Sequence, residues 1–349
     1  MSAPQRRWPG EWEPHDATWI AWPHHEDDWP GKFGPIPWVY AEIVRALSAH
    51  ELVEILIHDD AVEANARTCL DAHGVPQGRY RFHRQRTNRS WLRDSAPTGV
   101  MDDAGALQWI AWGFNAWAKY DNFGDDVRVA QCVARASGAA AVEARRADGS
   151  TRLILEGGGI DTNGFGTMLV TEEWLLSDVQ VRNPGLTRAD YERAFAEWLG
   201  ISRTIWLGEG CAGDDTHGHV DDVARFVAPG VVVLAHEEDP ADENRRRSLD
   251  NLRRLRTAKD ARGNPLDVRT LPYPRPVTMD GVRLPASYAN FYIANGVVLV
   301  PTFNDPNDRV ALGVLAECFP DREIVGIHSV DLVWGLGTLH CLTQQQPST

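Results

Sequence analysis

The chain has 349 residues, 43% of them hydrophobic and 24% charged, and 49 Asp and Glu against 35 Lys and Arg give a formal net charge of −14. That is apolar matter enough for a full core. The acid excess argues against nucleic acid or an anionic membrane as partner, because phosphate recognition needs clustered Lys and Arg, and it suits a small cationic substrate instead.

In chain order, residues 37–49 are expected to form a helix and residues 53–57 a strand. Residues 97–112 form the first expected hairpin, turning near Asp103, Ala104 and Gly105, with a helix over 124–137 after it. A second hairpin spans 160–170 and turns at Asn163 and Gly164, and a helix follows over 187–199 with Thr187 as N-cap. The strand 204–207 comes next, then a hairpin over 223–235 turning at Pro229 and Gly230, a helix over 242–259 and a strand over 268–271. The last hairpin covers 291–300 and turns at Asn295 and Gly296, before a helix over 307–319 and a strand over 324–327. The order strand–strand–helix–strand thus recurs about five times at a spacing of roughly 50–70 residues, which suggests α/β blades around an axis rather than two unlike domains. No linker composition divides the chain, so residues 1–349 are expected to be one catalytic domain.

One polar motif precedes or meets each hairpin. These are Ser90 to Pro97 with Trp91, Arg93 and Asp94; Leu155 to Gly159 with Glu156; Gly213 to Asp222 with Asp215, His217, His219 and Asp221; Pro285 to Asn290; and the segment ending in His340 and Cys341. Repeats around an axis would bring these motifs into one pocket. Each also has a plainer use. Asp94 and Glu156 could cap the turns beside them, Asn290 could fix its loop, and Cys341 could be a buried strand residue. Many of the 14 tryptophans, among them Trp8, Trp12, Trp19, Trp22, Trp29 and Trp38, sit in turn-rich segments where they pack or line a pocket. If extended, His217, His219 and Asp221 would share one face.

A thiolate nucleophile needs a nearby cation or a histidine to lower its pKa, and carboxylates beside it work the other way. The set makes sense if the substrate supplies the cation. A planar guanidinium pairs bidentately with carboxylates. The thiolate of Cys341 would add to its central carbon, and His219 would protonate the departing ammonia. Water deprotonated by His219 would then hydrolyse the covalent thiouronium. No metal or other cofactor is expected. The five cysteines, at 69, 132, 211, 318 and 341, are odd in number and lack metal-type spacing, as expected of free thiols in a cytoplasmic protein. Residues 1–14 carry no apolar signal-peptide core, and no run approaches the roughly 18 apolar residues of a membrane span.

The motifs together resemble the agmatine deiminase family, relatives of bacterial peptidylarginine deiminase among the guanidino-group-modifying enzymes. The resemblance runs from Glu11–Trp19 through Trp91–Asp94, Phe114–Trp117, Leu155–Gly158 and Gly218–Asp221 to His340–Gln345. It implies a five-bladed, pseudo-symmetric α/β-propeller and hydrolysis of agmatine to N-carbamoylputrescine and ammonia, in the route to putrescine. It implies Cys341 as nucleophile, His219 as acid and base, Asp94 and Asp221 as guanidinium-binding carboxylates, Glu156 as a third acid near the histidine, and Trp91 beside the substrate. Asp215 and Asn290 join the expected substrate-binding set, and a homo-oligomer, with a dimer favoured, is expected. The chain departs from the family pattern at Leu336, Thr338, His217 and Asp222, where the pocket around the substrate tail would be reshaped.

Four rivals remain at this level. The first is another guanidine such as arginine or peptidyl arginine, whose α-carboxylate would want a free Arg93 or Arg225. Agmatine's ammonium would instead seek Asp214, Asp215 or Asp222. The second is an amidinotransferase, the third a metallohydrolase with His217, His219 and Asp221 as ligands, and the fourth a non-catalytic binding member.

Overall fold

A computed structural model describes residues 6–349. Four stretches of the chain each build the same small mixed sheet. In the first, Thr98–Met101 pairs antiparallel with Leu107–Ala111, and after the helix Val129–Ser137 the strand Ala140–Glu143 returns parallel to Leu107–Ala111. The second uses Asp161–Thr162, Thr167–Thr171, the helix Arg188–Leu199 and Arg203–Leu207. The third uses Ala224–Ala228, Val231–His236, the helix Glu243–Thr257 and Asp267–Pro272. The fourth uses Tyr292–Ala294, Val297–Thr302, the helix Pro306–Cys318 and Glu323–His328.

The fifth sheet joins the two ends of the chain. Gln344–Pro347 lies antiparallel to His15–Ala21, which in turn runs parallel to Leu52–Ile57 after the helix Ile36–Ser48. A further helix, Asp60–Ala72, adds a fourth strand, Tyr80–Arg84. The glutamine run after Cys341 is therefore part of a strand.

The α/β class holds, but the expected five-bladed α/β-propeller does not. Among the described residues no sheet closes into a barrel or a propeller: the strands form one four-stranded sheet, four three-stranded sheets and the two-stranded ribbon Thr278–Met279 with Val282–Arg283. The physical reason lies in the connections. Each helix returns the chain alongside the strand it has just left, and the chain then departs, so each ladder ends with its own sheet, and neighbouring sheets meet through side chains and isolated backbone links such as Gly113 with Leu153 and Leu155.

Those side chains explain the composition of the middle strands. A strand buried on both faces sends alternate residues to opposite sides. Met168 and Val170 pack with Val100 and Ile110, whereas Leu169 between them packs with Phe226 and Val232. Val298 and Val300 likewise join Val233, while Val297 and Leu299 join a different cluster.

Local signals set the helix ends. Thr187 caps Arg188–Leu199 in a reciprocal box with Asp190, and Gly200 ends it in the left-handed region at φ 69°. Asp242 and Asp305 cap the next two helices through backbone N–H groups. The helix expected over 124–137 starts later, at Val129, after a single turn at Asp126–Arg128.

Candidate active site

The segment just before the first strand of each of the five sheets reaches the same place. These segments are the turn Leu92–Ser95, the turn Gly157–Gly159, the turn Val220–Asp222, the residue Asn290 and the short helix Leu339–Leu342. Cys341 Sγ sits 3.2 Å from Asn290 Nδ2 and 3.6 Å from Asp221 Oδ2. His219 Nδ1 is 3.8 Å from Asp94 Oδ1, and its Nε2 is 3.4 Å from Glu156 Oε2. The glycine run before the second sheet is required by this crowding. A Cβ on Gly158 would stand 2.7 Å from His219 Nδ1, 2.9 Å from Asp94 Oδ1 and 3.0 Å from Asp221 Oδ2. One on Gly157 would strike the Arg93 carbonyl, and one on Gly159 the ring of Trp174.

Three buried acids in this cluster differ in proton affinity for identifiable reasons. Burial pushes Asp94 up to about 6, with Asp221 and Glu156 adding to it and His219 opposing. Its Oδ1 accepts from Gly158 N at 3.0 Å and its Oδ2 from Trp117 Nε1 at 2.8 Å. Burial would raise Glu156 as well, but Arg182 Nε at 3.1 Å and His219 outweigh it and hold Glu156 at about 2. Burial raises Asp222 well above the carboxylate range, with Asp221 and Asp214 adding to it. His219 is the counterpart: burial would lower it, yet Asp94, Glu156 and Asp221 together lift it to about 9. Burial, then Asp221, Asp222 and Asp94, pushes the Cys341 thiol well up. These surroundings favour a thiol on Cys341 beside an imidazolium on His219.

A cavity of about 430 Å³ leads down to Cys341 and Asp94. Trp91 and Trp117 line it, and the loop of Gly335, Leu336 and Gly337 packs beside Trp91. A Cβ on Gly337 would come within 2.7 Å of the Trp91 ring, so the glycine lets that indole lie flat against the loop. Leu336 takes φ +68°, an uncommon conformation for a branched residue. The mouth carries Asp27, Asp28, Arg89, Tyr120, Asp215 and Val282. Arg89 is engaged by Asp28 and by Asn122 Oδ1 at 3.2 Å, and Asp215 pairs with Lys119 and accepts from the Tyr120 hydroxyl at 2.9 Å.

The Porphyromonas-type peptidyl-arginine deiminase family matches residues 7–347. The chain belongs to that family. An agmatine deiminase of Pseudomonas aeruginosa is 36% identical, with 98% of this chain and 95% of the relative covered. One from Stutzerimonas stutzeri is 35% identical, covering 97% and 95%. Among solved structures, the agmatine deiminase of Enterococcus faecalis superposes with a TM-score of 0.90 at 32% identity over 98% of this chain and 96% of that one. A cysteine-to-serine variant of the agmatine deiminase of C. jejuni, with substrate bound, gives 0.87 at 26% identity over 100% and 98%.

In this family member the residues singled out from sequence divide into three groups. Cys341, His219, Asp94, Asp221 and Glu156 come together, and Trp91 and Asp215 line the cavity. Asn290 does not line it. Its amide nitrogen reaches Asp222 Oδ1 at 3.0 Å and the Cys341 sulfur, while its Oδ1 accepts from His340 N at 3.0 Å and Thr338 Oγ1 at 2.8 Å. Thr338 thus braces Asn290 rather than facing the cavity, and of the two departures in that loop only Leu336 meets open space.

His217 also turns away. With φ +64° it points to Ser177 Oγ, 2.9 Å from Nε2, so it shares no face with His219 and Asp221. Asp214 is used up inside its own loop, accepting from Thr216, Gly218 and His219 backbone N–H groups. Arg93 and Arg225, the candidate carboxylate partners, are buried and tied to Glu11, with Asp161 also on Arg225. Sequence reading assigned no role to Glu11, Trp117, Arg182 and His340. Glu11, Trp117 and His340 lie inside quoted motifs, but nothing in their spacing says which partner each one meets.

Proposed function

We propose that the chain hydrolyses agmatine to N-carbamoylputrescine and ammonia through a covalent intermediate on Cys341. Deiminase chemistry on a guanidino substrate follows from the family, and the relatives' agmatine supports the choice of substrate. The observation that carries the reading is that Cys341 and Asp94 both line the cavity, with Asp221 Oδ2 3.6 Å from the Cys341 sulfur and a histidine held at about 9 lying 3.8 Å from Asp94.

A guanidinium entering between these carboxylates brings the positive charge that the thiol lacks. Its field lowers the thiol's proton affinity, and the proton leaves to solvent. The thiolate adds to the guanidinium carbon and gives a neutral tetrahedral adduct. His219, protonated in the empty site, donates to one –NH₂ group, and ammonia departs with its bonding pair. The carbon left behind is a thiouronium cation. Neutral His219 then takes a proton from water and the hydroxide adds to the same carbon; collapse breaks the C–S bond, the hydroxyl proton passes to the departing sulfur to restore the thiol, and the ureido product is left. Trp91 and Trp117 exclude water from the flat faces of the guanidinium.

Agmatine is preferred to arginine because no arginine is left for an α-carboxylate. Arg93 and Arg225 are tied to acids, and Arg89 at the mouth is engaged by Asp28. Asp215 and Asp27 offer negative charge for a distal ammonium instead. Ammonia release across a guanidine panel, with the ureido product identified, tests this. Faster turnover of arginine than of agmatine would overturn the substrate.

We place the whole chain in one catalytic unit, supported by a site that draws on residues from Glu11 to Cys341. We also place it in the cytoplasm, supported by five cysteines that are all unpaired, and as a homodimer, which light scattering tests. Among the described residues no helix is long and apolar enough to cross a membrane.

A further inference from the structure

His340 precedes the nucleophile in the short helix Leu339–Leu342, and the mechanism gives it no step. Its ring lies between two carboxylates. Nδ1 is 2.8 Å from Asp221 Oδ2, and Nε2 is 2.9 Å from Glu11 Oε2. A neutral imidazole has one N–H and one lone pair. In that form one nitrogen would direct its lone pair at a carboxylate oxygen at contact distance.

Glu11 cannot relieve this by carrying a proton. Its Oε1 accepts from Ile293 N at 2.9 Å and lies 2.8 Å from Arg225 Nη2, and its Oε2 also takes Arg93 Nη2 at 3.2 Å. Those donors occupy the carboxylate as an anion. Asp221 has the opposite pattern. Its Oδ2 is held by His340, and its Oδ1 is buried without any hydrogen-bond partner. An unsatisfied buried oxygen is costly and calls for an explanation. Here it belongs to a carboxylate beside the nucleophile.

We propose that His340 donates a proton from each ring nitrogen and is the positioning residue for Asp221, fixing Oδ2 so that Oδ1 stays ionised and free to receive the substrate guanidinium. The guanidinium in this statement rests on the deimination reading; the double donation does not. Every element around the ring supplies charge to the arrangement. Glu11 comes from the N-terminal segment, Asp221 from the turn Val220–Asp222, and Arg225 reaches Glu11 from the third sheet. Arg93, from the turn Leu92–Ser95, donates its Nε to the His340 carbonyl at 3.3 Å. Beyond Asp221 stand Asp222, Cys341 and Asp94. Asp221 is held below the ordinary carboxylate value although burial pushes it up, and the His340 hydrogen bond is the first influence opposing burial. Without that donor, the upward push of burial on Asp221 is less opposed and its hold on the cation weakens.

His340→Asn keeps an amide donor but removes the second N–H and the ring. It should raise KM about tenfold or more, and the acid limb of kcat/KM, set by Asp94 alone in the wild type, should move upward and steepen as Asp221 begins to take up a proton over the same range. The kcat at the new optimum should change less than KM. A residue that only packed the helix would alter yield or kcat and leave the acid limb in place. An unmoved limb in both His340→Asn and His340→Gln overturns the proposal.

A second readout does not depend on turnover. With ¹⁵N-labelled histidine, the ring resonances present in the wild type and absent from the His340 variants should show N–H character at both nitrogens at the pH where the enzyme is assayed, as the two carboxylate contacts require. A resonance pair with one unprotonated nitrogen overturns the proposal, and the wild-type spectrum, assigned through backbone couplings, decides this if the variants do not fold. A wild-type protein that released no ammonia from any guanidine would sink the deimination reading and leave this spectral test standing.

Discussion

The floor of the cavity and its mouth are built differently. At the floor, His219, Glu156, Asp94, Asp221 and Cys341 are all at most 7% exposed, and they come from four separate segments of the chain. At the mouth, Val282 is 54% exposed, and Asp215 shares its charge with Lys119 and Tyr120 near solvent. A charge desolvated among fixed dipoles acts strongly and tolerates little change, whereas a solvent-screened one acts weakly and can be exchanged. On the proposed mechanism the floor should fix the reaction and the mouth should tune which guanidine is taken.

A second contrast lies within the floor. Glu156 and Asp94 are both buried, and both face His219. Arg182 stands beside Glu156 alone, and the two acids separate to about 2 and about 6. One buried cation decides which acid stays permanently ionised and which can follow the substrate.

The most severe test of the floor is Cys341→Ala. Ammonia release should fall by about 10⁴-fold or more, since loss of a nucleophile removes the covalent route entirely, while the melting temperature stays near that of the wild type. An active variant would dissolve the distinction between floor and mouth. Next in size is Asp94→Asn, which keeps the shape and removes the charge. We expect a loss on the order of 10²–10³ in kcat/KM, as for other electrostatic groups at a reacting centre. A loss below about threefold would move Asp94 to the scaffold.

The pH profile sharpens the contrast between the two acids. In the free enzyme Asp94 must be ionised and His219 protonated. kcat/KM should fall as pH drops through about 6, where Asp94 takes up its proton, and again as pH rises through about 9, where His219 loses its own. Asp94→Asn should abolish the limb assigned to Asp94. A profile flat from about pH 5 to 10 contradicts the assignment.

The smallest effect is expected at the mouth. Asp215→Asn should raise KM for agmatine by no more than about tenfold, the worth of a partly exposed ion pair or less, and leave kcat within about twofold. A guanidine without a distal ammonium should lose less. A large fall in kcat would show that the mouth takes part in the chemistry.

Much of this was legible in the amino-acid order. Turn dipeptides and helix caps act between near neighbours, so the hairpins at Asn163 and Asn295 and the cap at Thr187 could be placed from sequence. The motifs carrying Asp94, Glu156, His219 and Cys341 also stand out locally, because glycine crowding and a cysteine among turn residues are visible in one stretch. Other features depend on partners far along the chain. Gln344–Pro347 becomes a strand only because His15–Ala21 lies beside it. His217 and His219 differ in role only because one backbone turns through φ +64°. That the sheets remain separate rather than closing was likewise decided by where each returning strand finds its hydrogen bonds.

The sequence by itself determined the repeating order of strands and helices and the kinds of group available for chemistry. Tertiary structure decided the proton affinities. Asp94 and Glu156 are ordinary carboxylates in the chain, and their difference arises from burial and from an arginine 26 residues away from Glu156. Desolvation and charge act through space, so no local pattern encodes them.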